Sequence, residues 1–160
     1  GSEDNTVRVW DAESGELRTT LEGHTAPVVS VAYSPDGRSI VLGSKENTIR
    51  VCDAESGELQ TTLEGHTGSV NTVAYSGDGR SIVSGSQDHT VRVWDAENGE
   101  LRATLEGHTN GVHSVAYAPD GRSIVSGSED NTVRVWDAKS GELRATLEGH
   151  TDRVTSVAYS

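Results

Sequence analysis

The residues able to do chemistry recur on a fixed spacing. His24, His66, His108 and His150 stand 42 residues apart. Serine and aspartate return with two of them: Ser84 and Asp88 follow His66, and Ser126 and Asp130 follow His108. These are the residue types of a nucleophilic triad, in which histidine takes the serine proton and aspartate orients the imidazole. The recurrence argues against that use. One set per repeat gives several equivalent nucleophiles, which a hydrolase does not need, and no oxyanion-hole motif accompanies them. Histidine also invites metal. His108 and His113 are close in sequence and His89 lies in a polar turn, but nothing nearby completes a tetrahedral set at the usual ligand spacing. The glycines are turn glycines at repeat spacing rather than a phosphate-binding loop. No catalytic residue, metal or cofactor is expected.

The elements that must position these residues are short strands. Val28–Tyr33 alternates apolar and polar residues with the period of two that marks a strand. Pro35-Asp36-Gly37 turns the chain, because proline pre-sets φ and glycine tolerates φ > 0. A second strand follows over Ser39–Leu42, a polar turn over Gly43–Thr48, a third strand over Thr48–Cys52, a second turn, and a fourth strand over Glu58–Leu63. No stretch keeps a helical period. The spacing predicts an all-β fold of four-stranded antiparallel sheets, about 3.8 repeats of 42 residues. The frame divides a single unit, 1–160, into a partial repeat 1–23, repeats 24–65, 66–107 and 108–149, and a partial repeat 150–160. Each sheet has two faces to bury and must stack on neighbours. Val28, Val70, Val112 and Val154 form one set of expected core positions. Val31, Val73, Val115 and Val157 form a second, and Leu21, Leu63, Leu105 and Leu147 a third. The last strand is expected to end at Ser160.

Composition narrows the partners. The chain of 160 residues has a formal net charge of −12, spread over repeated surface units such as Asp11-Ala12-Glu13. Binding a nucleic-acid backbone calls for a basic stripe, so nucleic acid is not expected. No apolar run is long enough to cross a membrane and no basic-then-apolar segment opens the sequence. The single cysteine, Cys52, allows no intrachain disulfide and fits a reducing, cytoplasmic compartment.

The period, the Gly-His pair early in each copy (Gly107-His108) and the Trp-Asp pair late (Trp136-Asp137) resemble the WD-repeat family, whose fold is the β-propeller. The resemblance runs over the whole chain. It implies that each blade buries a network of four side chains. Here the sets are His66, Ser84, Asp88 and Trp94, then His108, Ser126, Asp130 and Trp136. Donor–acceptor matching explains the need for them, since a buried indole N–H requires an acceptor and a carboxylate can hold one imidazole tautomer. The copy beginning at His24 departs jointly, with Leu42 for serine, Glu46 for aspartate and Cys52 for tryptophan. A blade built from the two chain ends would draw on His150, Asp4 and Trp10, without its second strand.

The copies differ at few positions. After Gly-His-Thr they read Ala26-Pro27, Gly68-Ser69, Asn110-Gly111 and Asp152-Arg153, and shortly afterwards Val29, Asn71, His113 and Thr155. In the turn before the third strand they vary at Lys45 and Gln87, with Asn47 and His89 nearby. The family places both loops on its top face, a frequent site for proteins and peptides. The opposite-face turns are more constant: Arg38, Arg80 and Arg122 do not change. The expected binding residues are therefore Ala26, Pro27, Val29, Lys45, Asn47, Ser69, Asn71, Gln87, His89, Asn110, Gly111, His113, Asp152, Arg153 and Thr155, on a non-catalytic scaffold. The alternative is a designed, excised or recently duplicated repeat fragment with no ligand, its near-identical copies serving folding and self-assembly. Open ends would expose apolar faces, so a homo-oligomer is expected, most simply a dimer that completes the ring.

Overall fold

A computed structural model describes residues 1–159. Among the described residues fourteen strands form four antiparallel sheets and there is no helix. β1 (Val7–Trp10) and β2 (Leu17–Leu21) make a two-stranded ribbon. The first complete blade is β3 (Val28–Tyr33), β4 (Ser39–Ser44), β5 (Ile49–Asp53) and β6 (Leu59–Leu63). The second is β7 (Val70–Tyr75), β8 (Ser81–Ser86), β9 (Val91–Asp95) and β10 (Leu101–Leu105). The third is β11 (Val112–Tyr117), β12 (Ser123–Ser128), β13 (Val133–Asp137) and β14 (Leu143–Leu147). Strands pair in chain order within each sheet, as a meander.

Alternation along a strand decides which neighbour each side chain meets. On β9, Val91 and Val93 face the following blade, where they join Val112, Val115, Ile124 and Trp136. Trp94 faces the preceding blade and packs with Val41, Ile49, Val51 and Leu63. Every seam is therefore a shared core that neither blade owns. Gly85 lets the seam close: a Cβ there would lie 2.6 Å from Val112 Cγ1 and 2.8 Å from Thr72 Cγ2. The innermost strands lie at the sheet edges, and side-chain oxygens from the preceding blade reach them. Val73 N–H donates to Ser30 Oγ at 3.0 Å and Val115 N–H to Thr72 Oγ1 at 3.3 Å. This gives edge donors a partner that a simple hairpin stack would lack.

Where a seam is incomplete, the same residues surface. Val31 is 43% exposed although its counterpart Val73 is 6% exposed, because Val73 is covered by β4 of the preceding blade and the ribbon β1–β2 before Val31 has no such strand. Trp10 is 54% and Leu147 52% exposed, unlike Trp94 and Leu105. The expected strand at the C-terminal end is not formed. Residues 150–159 run without a ladder partner, and the last residue of that prediction, Ser160, lies outside the described residues. The segment still takes the position of a first strand. Val154 is buried against Gly127, Val154 N–H donates to Ser128 O at 2.9 Å and Val157 N–H to Ser114 Oγ at 3.1 Å. A strand is defined by a ladder, and no second strand lies beside this segment. The ribbon β1–β2 packs at the other end of the blade array, against Val28, Ile40 and Cys52, so the two chain ends do not meet in one blade. His150 and Trp10 are exposed, and Asp4 bonds to its own turn through Thr6.

Candidate functional site

The loop before each first strand and the turn between second and third strands sit side by side. Gln87 N–H donates to Ser69 O at 2.9 Å, and Lys45 and Glu129 N–H donate likewise to Pro27 O and Gly111 O. Between loop and turn lies the four-residue network. Asp88 Oδ2 can only accept, so the 2.8 Å contact with His66 Nδ1 fixes the proton on Nδ1. His66 Nε2 then accepts from Ser84 Oγ at 2.8 Å, and Ser84 Oγ accepts the Trp94 indole N–H at 2.9 Å. His108, Asp130, Ser126 and Trp136 repeat the relay at 2.7 to 2.8 Å. Every donor in the relay has its acceptor.

Burial lowers the pKa of His66 and His108, although Asp88 and Asp130 pull the other way, so both rings stay neutral. At Asp88 burial opposes ionisation. Hydrogen bonds from Thr90, His66 and Thr67 outweigh it and lower the pKa to about 2. The bond order Ser–His–Asp matches a nucleophilic triad. However, Ser84 and Ser126 are fully buried, and the oxygen that would attack is occupied by the indole N–H. The relay joins loop, turn and strand, and its geometry serves structure.

The copy at His24 keeps half of it. Glu46 takes the aspartate's part, accepting from His24 Nδ1 at 2.6 Å, Thr25 N–H at 2.7 Å and Thr48 Oγ1 at 3.0 Å. Burial opposes its ionisation too, and the hydrogen bonds bring its pKa to about 2. His24 Nε2 has no partner, since Leu42 replaces the hydroxyl and Cys52 the indole. Leu42 and Cys52 are both buried in the apolar cluster shared with Val7, Val9 and Leu21. Burial raises the Cys52 pKa, leaving a neutral thiol.

The variable positions lie above this relay. In the second blade Asn71 Nδ2 donates to Gln87 Oε1 at 3.5 Å and across the seam to Val112 O at 3.0 Å. In the third, His113 Nε2 meets Glu129 Oε1 at 2.7 Å. Hydrogen bonding to His113 lowers the Glu129 pKa, with Gln87 and Arg153 adding to the effect. Ser69 Oγ donates to Lys45 O at 3.4 Å. The two variable sites of each of these blades thus form a pair, and the pairs touch across seams. Lys45, Gln87, His89, Asn110, Asp152, Arg153, Thr155 and Val29 are exposed, and Ala26, Pro27, Asn47, Ser69, Asn71 and His113 half-buried. Gly111 is buried beneath the Gln87 amide, and its carbonyl is held by Ser128 Oγ. It offers no side chain or free surface to a partner. Asn47 and His89 have φ of 70° and 71°, the left-handed conformation that asparagine tolerates best. Their identity answers first to the turn.

The opposite face holds clefts that variation among copies does not reveal. They open at the seams and measure about 670, 510 and 440 Å³. Tyr33, Tyr75 and Tyr117 line them in turn, and burial raises the pKa of Tyr75 and Tyr117 to about 12. These tyrosines are the same in every copy, so only their placement marks them.

Gly-His at the head of each full relay, Trp-Asp at its foot and the four-stranded blade that recurs with them match a known repeat model. The model described as "WD domain, G-beta repeat" aligns with residues 15–53, 57–95, 99–137 and 141–160. The chain belongs to the WD40 repeat family. Similar stretches occur in larger proteins. Ribosome assembly protein 4 of Chaetomium thermophilum is 55% identical over 38 residues, 24% of this chain and 7% of that protein. Nuclear distribution protein PAC1 of Mycosarcoma maydis is 46% identical over 41 residues, 26% of this chain and 9% of that protein. The human F-box-like/WD repeat-containing protein TBL1Y is 57% identical over 35 residues, 22% and 7%. Each match is about one repeat long and spans less than a tenth of the relative. Among the described residues no group of three or more His, Cys, Asp or Glu side chains is placed to hold a metal, and no helix is long and apolar enough to cross a membrane.

Proposed function

We propose that the WD40 blades form a non-catalytic platform that recognises a protein or peptide through their top-face loops. One observation carries this reading: the positions at which the copies differ meet in space, as the pairs Asn71–Gln87 and His113–Glu129 and as Ser69 reaching Lys45 O across a seam. Loops on a rigid scaffold are where binding residues concentrate. The names of the relatives, which speak of ribosome assembly and nuclear distribution, support a scaffold role in general. The face lacks tryptophan and tyrosine, the usual anchors of tight interfaces, so its affinity for any one partner is modest. Panning a random peptide library on the folded chain tests the reading. Binders should lose affinity when Lys45, Gln87 and His113 become alanine together and keep it when Arg80 and Lys139 do. The reverse pattern would move recognition to the opposite face.

A second reading rests on the apolar surface left at the open seams, where Trp10, Val31, Tyr33 and Leu147 are exposed. The chain pairs with a second copy that covers these residues, as each internal blade covers its neighbour. Sedimentation velocity on the 160-residue chain should show a dimer or larger closed assembly. A stable monomer at high concentration would sink this reading and leave the first intact.

A further inference from the structure

The sequence holds five places where asparagine or aspartate precedes glycine: Asp36-Gly37, Asp78-Gly79, Asn98-Gly99, Asn110-Gly111 and Asp120-Gly121. Such pairs are prone to self-modification, because a glycine nitrogen can attack the preceding side-chain carbonyl without hindrance from a Cβ. At four of the five the nitrogen is committed to a turn. Gly37, Gly79 and Gly121 N–H donate to the carbonyls of Ser34, Ser76 and Ala118 at 2.9 Å, and Gly99 N–H to Asp95 O at 3.0 Å. All four glycines have φ near 70°. The Asn98 side chain is also drawn past its glycine, its Oδ1 accepting from Glu100 N–H at 2.9 Å and its Nδ2 donating to Glu100 Oε2 at 3.1 Å.

Asn110 differs. The Gly111 N–H is given to no turn carbonyl but to Asn110 Oδ1 at 2.8 Å, so the side-chain amide is folded back beside the nitrogen that would attack its carbon. The Asn110 side chain is exposed. The fourth copy shows the same geometry with the product residue in place: Arg153 N–H donates to Asp152 Oδ1 at 2.7 Å. The loop frame thus accommodates a carboxylate.

We infer that Asn110 is a site of spontaneous backbone-assisted deamidation, selected by its fold over the equally Asn-Gly Asn98. Hydroxide removes the Gly111 amide proton. The nitrogen bonds to Asn110 Cγ, the Cγ–Nδ2 bond breaks, and ammonia leaves after taking up a proton from water. A second water opens the resulting succinimide at either carbonyl, giving aspartate or isoaspartate. No oxidant or metal is involved. Either product adds one negative charge to the top face. Isoaspartate also adds a methylene to the backbone before Gly111 and turns the Asn110 carbonyl, which Ser128 Oγ now holds at 3.0 Å beside Gly111 O at 2.9 Å, into a free carboxylate. The inference does not depend on the recognition reading.

The test is peptide mapping by mass spectrometry after incubating the folded chain in warm, mildly alkaline buffer. A parallel sample in concentrated urea gives the unfolded rates of both asparagines. Positioning a nucleophile by an ångström changes rates by orders of magnitude, so Asn110 should convert roughly tenfold faster than Asn98 when folded. In urea the two should convert at similar rates. Heavy-oxygen water should label the new carboxyl at Asn110 and give both aspartate and isoaspartate. Folded Asn98 converting as fast as Asn110, or folded Asn110 staying intact while its urea control converts, would overturn the inference.

Discussion

At the residue scale the governing fact is that one hydroxyl serves two rings. Ser84 Oγ receives the Trp94 indole proton and gives its own to His66, at 2.9 and 2.8 Å. Removing it strands an indole N–H and an imidazole nitrogen in a fully buried site. An orphaned buried polar group costs about 1–3 kcal/mol. Ser84→Ala should therefore lower stability by about 2–4 kcal/mol, given two orphans that share a little of their loss by relaxing. Ser126→Ala should do the same. Urea unfolding measures both, and a change within error would show the relay to be idle. The residue types of this relay are readable in the sequence, and so is the resemblance that assigns them to structure. That they form a triad-like bond order with a sealed nucleophile is not, because sealing depends on Trp94 arriving from another strand.

Element-scale consequences fall on the blade at His24. Its strands pair in the same register as those of the other blades, with Ile40 opposite Cys52 as Ile82 is opposite Trp94. Ladder and fold therefore tolerate the three substitutions. The interior adapts instead. Leu42 is buried where the relay hydroxyl stands elsewhere, and His24 Nε2 is left without a partner. A lone Cys52→Trp change adds an indole to a space that Leu42 already enters and provides no acceptor for its N–H. Overpacking costs about 1–3 kcal/mol, so the single variant should lose stability. With Leu42→Ser and Glu46→Asp added, the relay is restored and the triple variant should exceed the parent. Thermal melts of the three proteins decide it, and a large gain from Cys52→Trp alone would contradict this account. The joint substitution is visible in sequence as a break in pattern. Its compensation through Glu46 is a matter of reach, which only the geometry of His24 and Thr25 shows.

For the whole molecule, stability lies in the seams. No blade owns a core; Val41, Ile49, Val51 and Leu63 of one meet Val70, Val73, Ile82 and Trp94 of the next. Gly85 is a point of close approach in one seam. Gly85→Ala would press a methyl group 2.6 Å from Val112 and 2.8 Å from Thr72, with Val115 at 3.1 Å. Because the neighbours are branched core side chains, the expected loss is about 1–3 kcal/mol. The loss should be cooperative across the second and third blades, as hydrogen exchange of β8 and β11 amides would show. Protection lost in only one blade would mean that the blades are independent. The same dependence explains why Val31 and Trp10 are exposed while Val73, Val115, Trp94 and Trp136 are buried.

The sequence by itself determined the repeat, its strands and turns, the faces that must be buried and the set of variable positions. These are local or periodic properties, carried by alternation, turn residues and near-identical copies. Tertiary structure decided the rest. It showed Gly111 buried, Asn47 and His89 bound to a left-handed turn, and residues 151–159 running without a ladder partner. It also placed clefts on the more constant face, and set Gly111 nitrogen against Asn110. Each depends on which atom of a distant residue comes close, and near-identical repeats place near-identical residues in environments that differ only through their neighbours.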